Sequence, residues 1–161
     1  MEVKFIAIAA IGKNRQIGLA GKLPWSIPQE YDHFKQTVWG QYVLIGRKNF
    51  ELHGQDVKGS KAIVLTRDKE YKSDKAVVCH SMEEVVAFAD QSKIALIYVI
   101  GGAEIYNLTL PYLSEFICSE IDYDGPADTY FPEMTNFQWE EKILSHHPGW
   151  VKKLFIRLIG P

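Results

Sequence analysis

The sequence is short of cysteine. Its two, Cys79 and Cys118, stand apart, each inside an apolar run. That excludes a disulfide framework and reads as two buried free thiols, the state expected in the cytoplasm. Long hydrophobic runs are missing too. The run Phe5–Ile11 is too short to cross a bilayer, and Glu2 with no small-residue cleavage site argues against a signal peptide. Neither sign of charge is in excess. Lys and Arg number 18 against 20 Asp and Glu, a net charge of -2, which offers no footprint for nucleic acid or an anionic membrane. The histidines, His33, His53, His80, His146 and His147, show no metal-ligand spacing, so no metal is expected. His146-His147 stands beside Pro148-Gly149 and reads as a solvated loop. No Walker loop, nucleophile elbow or G-x-G-x-x-G fingerprint occurs. With no internal repeat and no Pro/Gly/Ser linker, the 161 residues read as one domain, 1–161. A chain of this size buries about 70% of its unfolded surface, enough for a core without metal or disulfide.

What the sequence does have is short apolar runs closed by turn signals. Val3–Ile11, Tyr42–Gly46, Ala62–Thr66, Ala76–Cys79 and Ala95–Ile100 read as strands buried on both faces. Helical patterns lie between them. Pro28 opens one helix. A short one follows Gly46-Arg47 and runs to about Leu52. Ser81 and Glu84 form S-x-x-E before a stripe of Met82, Val85, Val86 and Ala89. Gly101-Gly102 turns the chain into a helix over Ala103–Leu108. Beyond it, Glu115–Asp122, Gln138–Leu144 and Lys152–Ile159 read as strands with no helix between them. The expectation is an α/β fold: a mostly parallel sheet of about eight strands with antiparallel C-terminal strands, and about four flanking helices.

One residue in the helix after Pro28 is out of place. Ile27, Tyr31, Phe34 and Val38 recur at helical spacing, and Glu30 falls on the same face. A carboxylate on a core-facing stripe must be protonated or find a partner. The bland alternative is an acid in the first turn, placed there by the helix dipole and reaching water. Just before it, Gly18 and Gly21 give freedom, and Leu23, Pro24 and Trp25 bring bulk back. Lid, aromatic and acid together suggest a closed pocket for a flat, polar-edged ligand.

Three strand ends favour anions. Gly46-Arg47-Lys48 sets two cations at a helix start, Thr66-Arg67 sets a hydroxyl and a guanidinium after a strand, and Gly101-Gly102-Ala103 frees backbone N–H groups. Each alone is commonly a turn or a solvated arginine. Together they point to a dinucleotide carrying a 2′-phosphate, held beyond the carboxyl ends of the sheet.

Seven segments then resemble the bacterial chromosomal type of dihydrofolate reductase. They are Ile8–Ala10, Ile17-Gly18, Leu23–Lys35, Gly46–Glu51, Ile63–Arg67, Ile100–Tyr106 and Asp128–Pro132. The resemblance implies NADPH-dependent reduction of 7,8-dihydrofolate to 5,6,7,8-tetrahydrofolate, by hydride transfer to pterin C6 with N5 protonation. It implies catalytic roles for Glu30, for Ser119 supporting that carboxylate, for Leu23 and Trp25 closing the site, and for Tyr106 beside the nicotinamide. Substrate contacts would come from Ile8, Ala9, Ala10 and Ile100, from Tyr31, Phe34 and Lys35, and from His53 and Val57. NADPH contacts would come from Ala10, Ile17, Gly18 and Leu23, from Gly46, Arg47, Lys48 and Asn49, and from Leu65, Thr66, Arg67 and His80. Gly101, Gly102, Ala103, Glu104, Ile105, Tyr106 and Thr129 would complete that set. Asp128 would hydrogen-bond the lid backbone near Gly18. A monomer in the cytoplasm, binding a small molecule and neither nucleic acid nor membrane, is expected.

The chain departs from the pattern in the substrate half. Ser60 stands where the family usually carries an Arg that clamps the glutamate α-carboxylate, and such a pair is among the stronger polar contacts. Asn49 replaces a usual Thr, Leu52 and His53 are atypical, and the last hairpin has a short HHPGW connection. Two alternatives follow: a reductase of this fold for a pteridine without the glutamate tail, and a non-catalytic pterin- or nucleotide-binding paralogue.

Overall fold

The computed structural model describes residues 2–158. In chain order the elements are β1 (Lys4–Ile11), β2 (Gln16–Gly18), α1 (Pro28–Val38), β3 (Tyr42–Gly46), α2 (Arg47–His53) and a 3₁₀ turn (Gly54–Val57). Next come β4 (Lys61–Leu65), β5 (Val77–Cys79), α3 (Met82–Gln91), β6 (Leu96–Gly101), α4 (Ala103–Thr109) and β7 (Leu113–Ile121). β8 (Thr129–Tyr130), β9 (Trp139–His147) and β10 (Trp150–Arg157) complete the series. The expected strand Lys152–Ile159 ends, in part, outside the described residues, since Ile159 is not among them.

Eight strands form one sheet in the order β5-β4-β3-β6-β1-β7-β10-β9. The first six pair in parallel, and β7–β10 and β10–β9 are antiparallel. This is the expected α/β architecture. Both faces are covered, which is why the strands read as unbroken apolar runs. Alternate residues feed opposite layers: Phe5, Ala7, Leu44, Ile63 and Val99 enter one core, Ile8, Val43, Ile45 and Val64 the other. Because β1, β3, β4 and β6 run the same way, Ala10, Gly46, Leu65 and Gly101 all end at one edge of the sheet. Function is to be sought there.

The α3 start follows its sequence signature. The Glu84 N–H donates to Ser81 Oγ at 3.2 Å, and the His80 N–H donates to Glu84 Oε1 at 3.3 Å. Its stripe needs one correction. Met82, Val85 and Ala89 are buried, but Val86 is 38% exposed. It lies one residue past Val85, a step of about 100° around the helix that carries it off the packed face.

Three more expectations change. β9 runs on through His147 instead of stopping at Leu144, so His146-His147 is strand and not loop. Pro148 and Gly149 (φ +83) suit the two central positions of a type II turn, which lets His147 pair with Trp150. The imidazole of His147 stacks on the Trp150 ring at 4.0 Å and 10°, and Ser145 Oγ lies 2.7 Å from its Nε2. His147 is therefore half-buried, and only His146 is exposed. β4 ends at Leu65 and leaves Thr66 just beyond the strand. Finally, β2 and β8 form a separate two-stranded sheet that no apolar run announced.

Candidate active site

Pro28 starts α1 where its missing N–H costs nothing, and Glu30 follows in the first turn. Its side chain points into the protein and Glu30 is 5% exposed, which overturns the bland reading of a solvated first-turn acid. β7 runs beside β1 with Ser119 paired to Ala10, and Ser119 Oγ donates to Glu30 Oε2 at 3.0 Å. Burial holds the Glu30 pKa above the usual carboxylate range, while the Ser119 bond and the charge of Lys152 pull it back down.

Glu30 lines a cleft of about 600 Å³. The end of β1 contributes Ile8, Ala9 and Ala10 to it, α1 contributes Tyr31 and Phe34, and β6 contributes Ile100. Tyr106 closes it from α4. Its Oη donates to the Ile8 carbonyl at 2.8 Å, and burial pushes its pKa far up, so the hydroxyl remains a donor. Trp25 also lines the cleft. Its Nε1 is buried and has no hydrogen-bond partner among the described residues.

The lid is the segment from β2 to α1. β2 is tied to β8, and Asp128 pins the turn beyond it from both sides. The Ala20 N–H donates to Asp128 Oδ2 at 2.9 Å, and the Asp128 N–H donates to the Gly18 carbonyl at 2.9 Å. Thr129 Oγ1 adds a bond to Asp128 Oδ1 at 2.8 Å. The Ala20 N–H, then Thr129, hold the Asp128 carboxyl below its ordinary pKa. Ala20 (φ 52) and Gly21 (φ +78) make the bend, and Leu23, 40% exposed, is brought to the cleft mouth with Ile17, Gly18 and Thr129.

A second cleft of about 780 Å³ opens beside the first, and Asn49, Gly102 and Ala103 line both. Its walls are the three anion-friendly strand ends: Gly46, Arg47 and Lys48, then Leu65, Thr66 and Arg67, then Glu104 and Ile105 from α4. His80 faces it too. The Nδ1 of His80 is 2.9 Å from the Thr66 carbonyl, which can only accept, so Nδ1 carries a proton. The two arginines are paired with acids. Arg47 donates to Asp68 at 3.0 Å, and Arg67 donates to Glu104. Gly101 (φ +109) and Gly102 are joined by a cis peptide bond. A Cβ on Gly102 would lie 2.8 Å from Asn49 Nδ2, so a larger residue there would push the Asn49 amide aside where the clefts meet.

Nearly every site residue named from the sequence lines one of these clefts. Ser119 acts through Glu30, and Gly101 forms the turn. Lys35 sits apart: it lines a side recess, 3.6 Å from Asp32 and 5.3 Å above the Tyr31 ring. Sequence reasoning missed Asp56, which accepts a 2.6 Å bond from Tyr31 Oη at the outer end of the substrate cleft. A lone acid in the polar stretch Gly54–Gly59 carries no periodic signal that could have found it. Among the described residues, no group of three His, Cys, Asp or Glu could hold a metal ion, and no helix is long and apolar enough to cross a membrane.

A parallel α/β sheet with a buried acid in one cleft and a cationic, glycine-lined cleft beside it defines a nucleotide-dependent oxidoreductase. Comparison with known proteins narrows this. The family profile described as dihydrofolate reductase matches residues 4–149. The dihydrofolate reductase of Lactococcus lactis subsp. lactis (strain IL1403) is 39% identical over 135 residues, covering 82% of this chain and 80% of that protein. Dihydrofolate reductase HdrB of Haloferax volcanii is 32% identical over 157 residues, covering 92% and 80%. The structure of dihydrofolate reductase from Enterococcus faecalis complexed with NADP(H) and RAB-propyl superimposes with a TM-score of 0.81 at 26% identity, over 98% of this chain and 99% of that one. The chain belongs to the dihydrofolate reductase family and is similar to its bacterial members. Its activity is therefore NADPH-dependent reduction of dihydrofolate, and these relatives lend no support to the tailless-pteridine or non-catalytic alternatives.

Proposed function

We propose that Glu30 and the cleft around it bind the pterin edge of dihydrofolate and govern its protonation, while the adjoining cleft holds NADPH. The observation that carries this is the buried Glu30 carboxyl on Ser119, in a cleft that meets the cationic one at Asn49 and Gly102. NADPH supplies the hydride when bound. The residues present fit it: Arg47, Lys48, Arg67 and His80 suit phosphate charge, Thr66 adds a hydroxyl, and Gly102 and Ala103 let backbone approach a pyrophosphate.

The protein's own part is binding, orientation, protonation and exclusion of water. Glu30 accepts hydrogen bonds from the 2-amino and N3 edge of the pterin and, through that contact, favours protonation at N5, the proton itself arriving by way of water. The Ile8 and Ile100 carbonyls line the ring edge, Phe34 packs on its face, and Ala9 and Ala10 floor the cleft. Tyr106 borders the nicotinamide, fixed by its bond to Ile8. Leu23 and Trp25 close over the pair, which dries the site and strengthens each polar contact. Tyr31, His53 and Val57 meet the benzoyl end. We infer a monomeric, cytoplasmic protein whose 161 residues act as one domain.

The test is NADPH oxidation, followed by loss of reduced-nicotinamide absorbance, with dihydrofolate and with a tailless dihydropterin. Saturable turnover of dihydrofolate is expected. Turnover of the tailless compound alone would overturn the substrate assignment, and no turnover despite NADPH binding would overturn the catalytic one.

A further inference from the structure

The sheet face beneath α1 carries a cation that lines neither cleft. β10 runs antiparallel to β7 with Lys152 opposite Ser119, whose hydroxyl holds Glu30. Directly opposed residues share a face of the sheet, so Lys152 stands on the Ser119 side. α1 crosses that face. Its Glu30 meets Ser119, and its His33 meets Trp150, two residues before Lys152, with ring centroids 5.5 Å apart. Lys152 therefore lies between the two places where α1 touches the sheet. It is half-buried. Its neighbour Lys153 is held by Glu120 at 2.9 Å and Glu141 at 3.3 Å, whereas Lys152 has no salt bridge among the described residues.

The other ionisable groups around it are accounted for. His33 on α1 and His147 on β9 lie 5.6 Å apart, ring to ring, and His147 is stacked on Trp150. β9 sets Ser145 opposite Lys152, with its hydroxyl engaged by His147. From α4, the Tyr106 hydroxyl is neutral and committed to the Ile8 carbonyl. Asp122, just past β7, is paired with Lys13, and Asp32 on α1 with Lys35. Further along the same face Lys142 is paired with Glu140 and Glu115 with Lys4. Burial raises the Glu30 pKa; against it work first the Ser119 bond and then the charge of Lys152.

We propose that Lys152 is a positioning residue for the reaction: standing behind Ser119, its ammonium biases the buried Glu30 carboxyl towards the ionised form that accepts the pterin's hydrogen bonds. This rests on the reading of Glu30 as the pterin's partner. Lys152 acts through Glu30 and not by contact with substrate or cofactor. A charge in a partly buried setting is screened less than one at the surface, so its removal is felt at the carboxyl.

The test uses the full chain, isotope-labelled at the glutamate carboxyls and read by NMR, the Glu30 resonance being the one missing from Glu30→Gln. Its titration is followed in the parent, Lys152→Gln, Lys152→Met and Lys152→Arg. Either neutral variant should move the Glu30 titration up by about half a unit to one unit, the order of one partly screened charge, and Lys152→Arg should keep it in place. Turnover of dihydrofolate with NADPH is then profiled against pH. Its decline with rising pH should move up by a similar amount in the neutral variants and stay at the parental position in Lys152→Arg. The nearby histidines cannot mimic this result, because the nucleus observed belongs to Glu30. A Glu30 titration that neither neutral variant moves, or one that moves while the pH profile of turnover does not, overturns the proposal and leaves the site reading standing. If Glu30→Gln turns over dihydrofolate as the parent does, the site reading falls and this proposal falls with it.

Discussion

At the scale of single residues, the site is a stability cost retained for chemistry. Glu30 is buried with one hydroxyl partner, and desolvation raises its pKa. A carboxyl whose folded pKa is raised binds its proton more tightly in the folded state. Its contribution to stability is thus fully present below the unfolded pKa and is lost as pH rises through the folded one. Glu30→Gln keeps an oxygen for Ser119 and removes the charge. It is expected to melt higher than the parent at neutral pH, by roughly 2–4 °C for each kcal/mol recovered. The two should converge in acid, which paired thermal scans across pH would read; a variant less stable at neutral pH would contradict the desolvation argument. Turnover should fall about a hundredfold or more, the usual contribution of a positioned acid, and the parent's own decline as pH rises through the Glu30 pKa should vanish. A similar comparison of magnitudes applies to Arg67. Its pair with Glu104 joins two largely exposed groups, 83% and 63% by side chain, and such pairs contribute about 0–1 kcal/mol. A charge-assisted bond to a phosphate is worth about 1.5–3 kcal/mol. In the proposed NADPH site, Arg67 would exchange Glu104 for a 2′-phosphate at a net gain. Arg67→Ala should weaken NADPH about tenfold or more and NADH little, measured by fluorescence titration; equal losses would remove the 2′-phosphate assignment.

At the scale of elements, the lid depends on two strands so short that packing does not announce them. β2 has three residues and β8 two, and they pair across more than a hundred residues of sequence. This separates what the sequence made legible from what it did not. The central strands were legible because burial on both faces leaves an unbroken apolar run, and α3 was legible because Ser81 accepts the Glu84 N–H in its first turn while Glu84 reaches back to the His80 N–H just ahead of the helix. Glu30 could be picked out because it broke a pattern. Asp56 could not, since nothing around it has a pattern to break, and the run of β9 through His147 depended on the turn geometry of Gly149 and the stacking of His147 on Trp150. The lid's anchor yields its own prediction. Asp128 receives the Ala20 N–H and donates its own N–H to Gly18, so Asp128→Ala removes the side-chain half of the clamp. Faster hydrogen exchange at the Ala20 amide is expected, with a rise in the Michaelis constant for NADPH and an unchanged fold by circular dichroism. Because its folded pKa is lowered, the anchor is present above the unfolded pKa and is lost only as pH falls through the lowered value. Exchange at Ala20 that stays slow in the variant would show that β2–β8 pairing alone holds the lid.

At the scale of the whole molecule, the question is what the two edges of the sheet offer to a second copy. One edge is β5, only three residues long and too short to template a partner. The other is β9, nine residues long, with Ile143 56% and Leu144 49% exposed, which is the kind of edge that invites pairing. Charge guards it. Antiparallel pairing of two β9 edges centred on Ile143 would set Lys142 against Leu144 of the second copy and Glu140 against His146. Glu141 is already engaged by Lys153 at 3.3 Å on the next strand, which partly offsets its charge. Among the described residues Lys142 has only Glu140, at 4.0 Å and exposed, and stripping water from both without a new partner opposes association. A single monomeric species is therefore expected in sedimentation from micromolar concentrations upward. Replacing Glu140 and Lys142 together by Val should lift the guard without touching either cleft, giving concentration-dependent dimers or larger assemblies while NADPH binding per chain stays unchanged. A parent protein that is already dimeric, and that Ile143→Lys converts to a monomer, would show the opposite: that the two exposed aliphatic side chains, and not the charges flanking them, decide how this edge behaves.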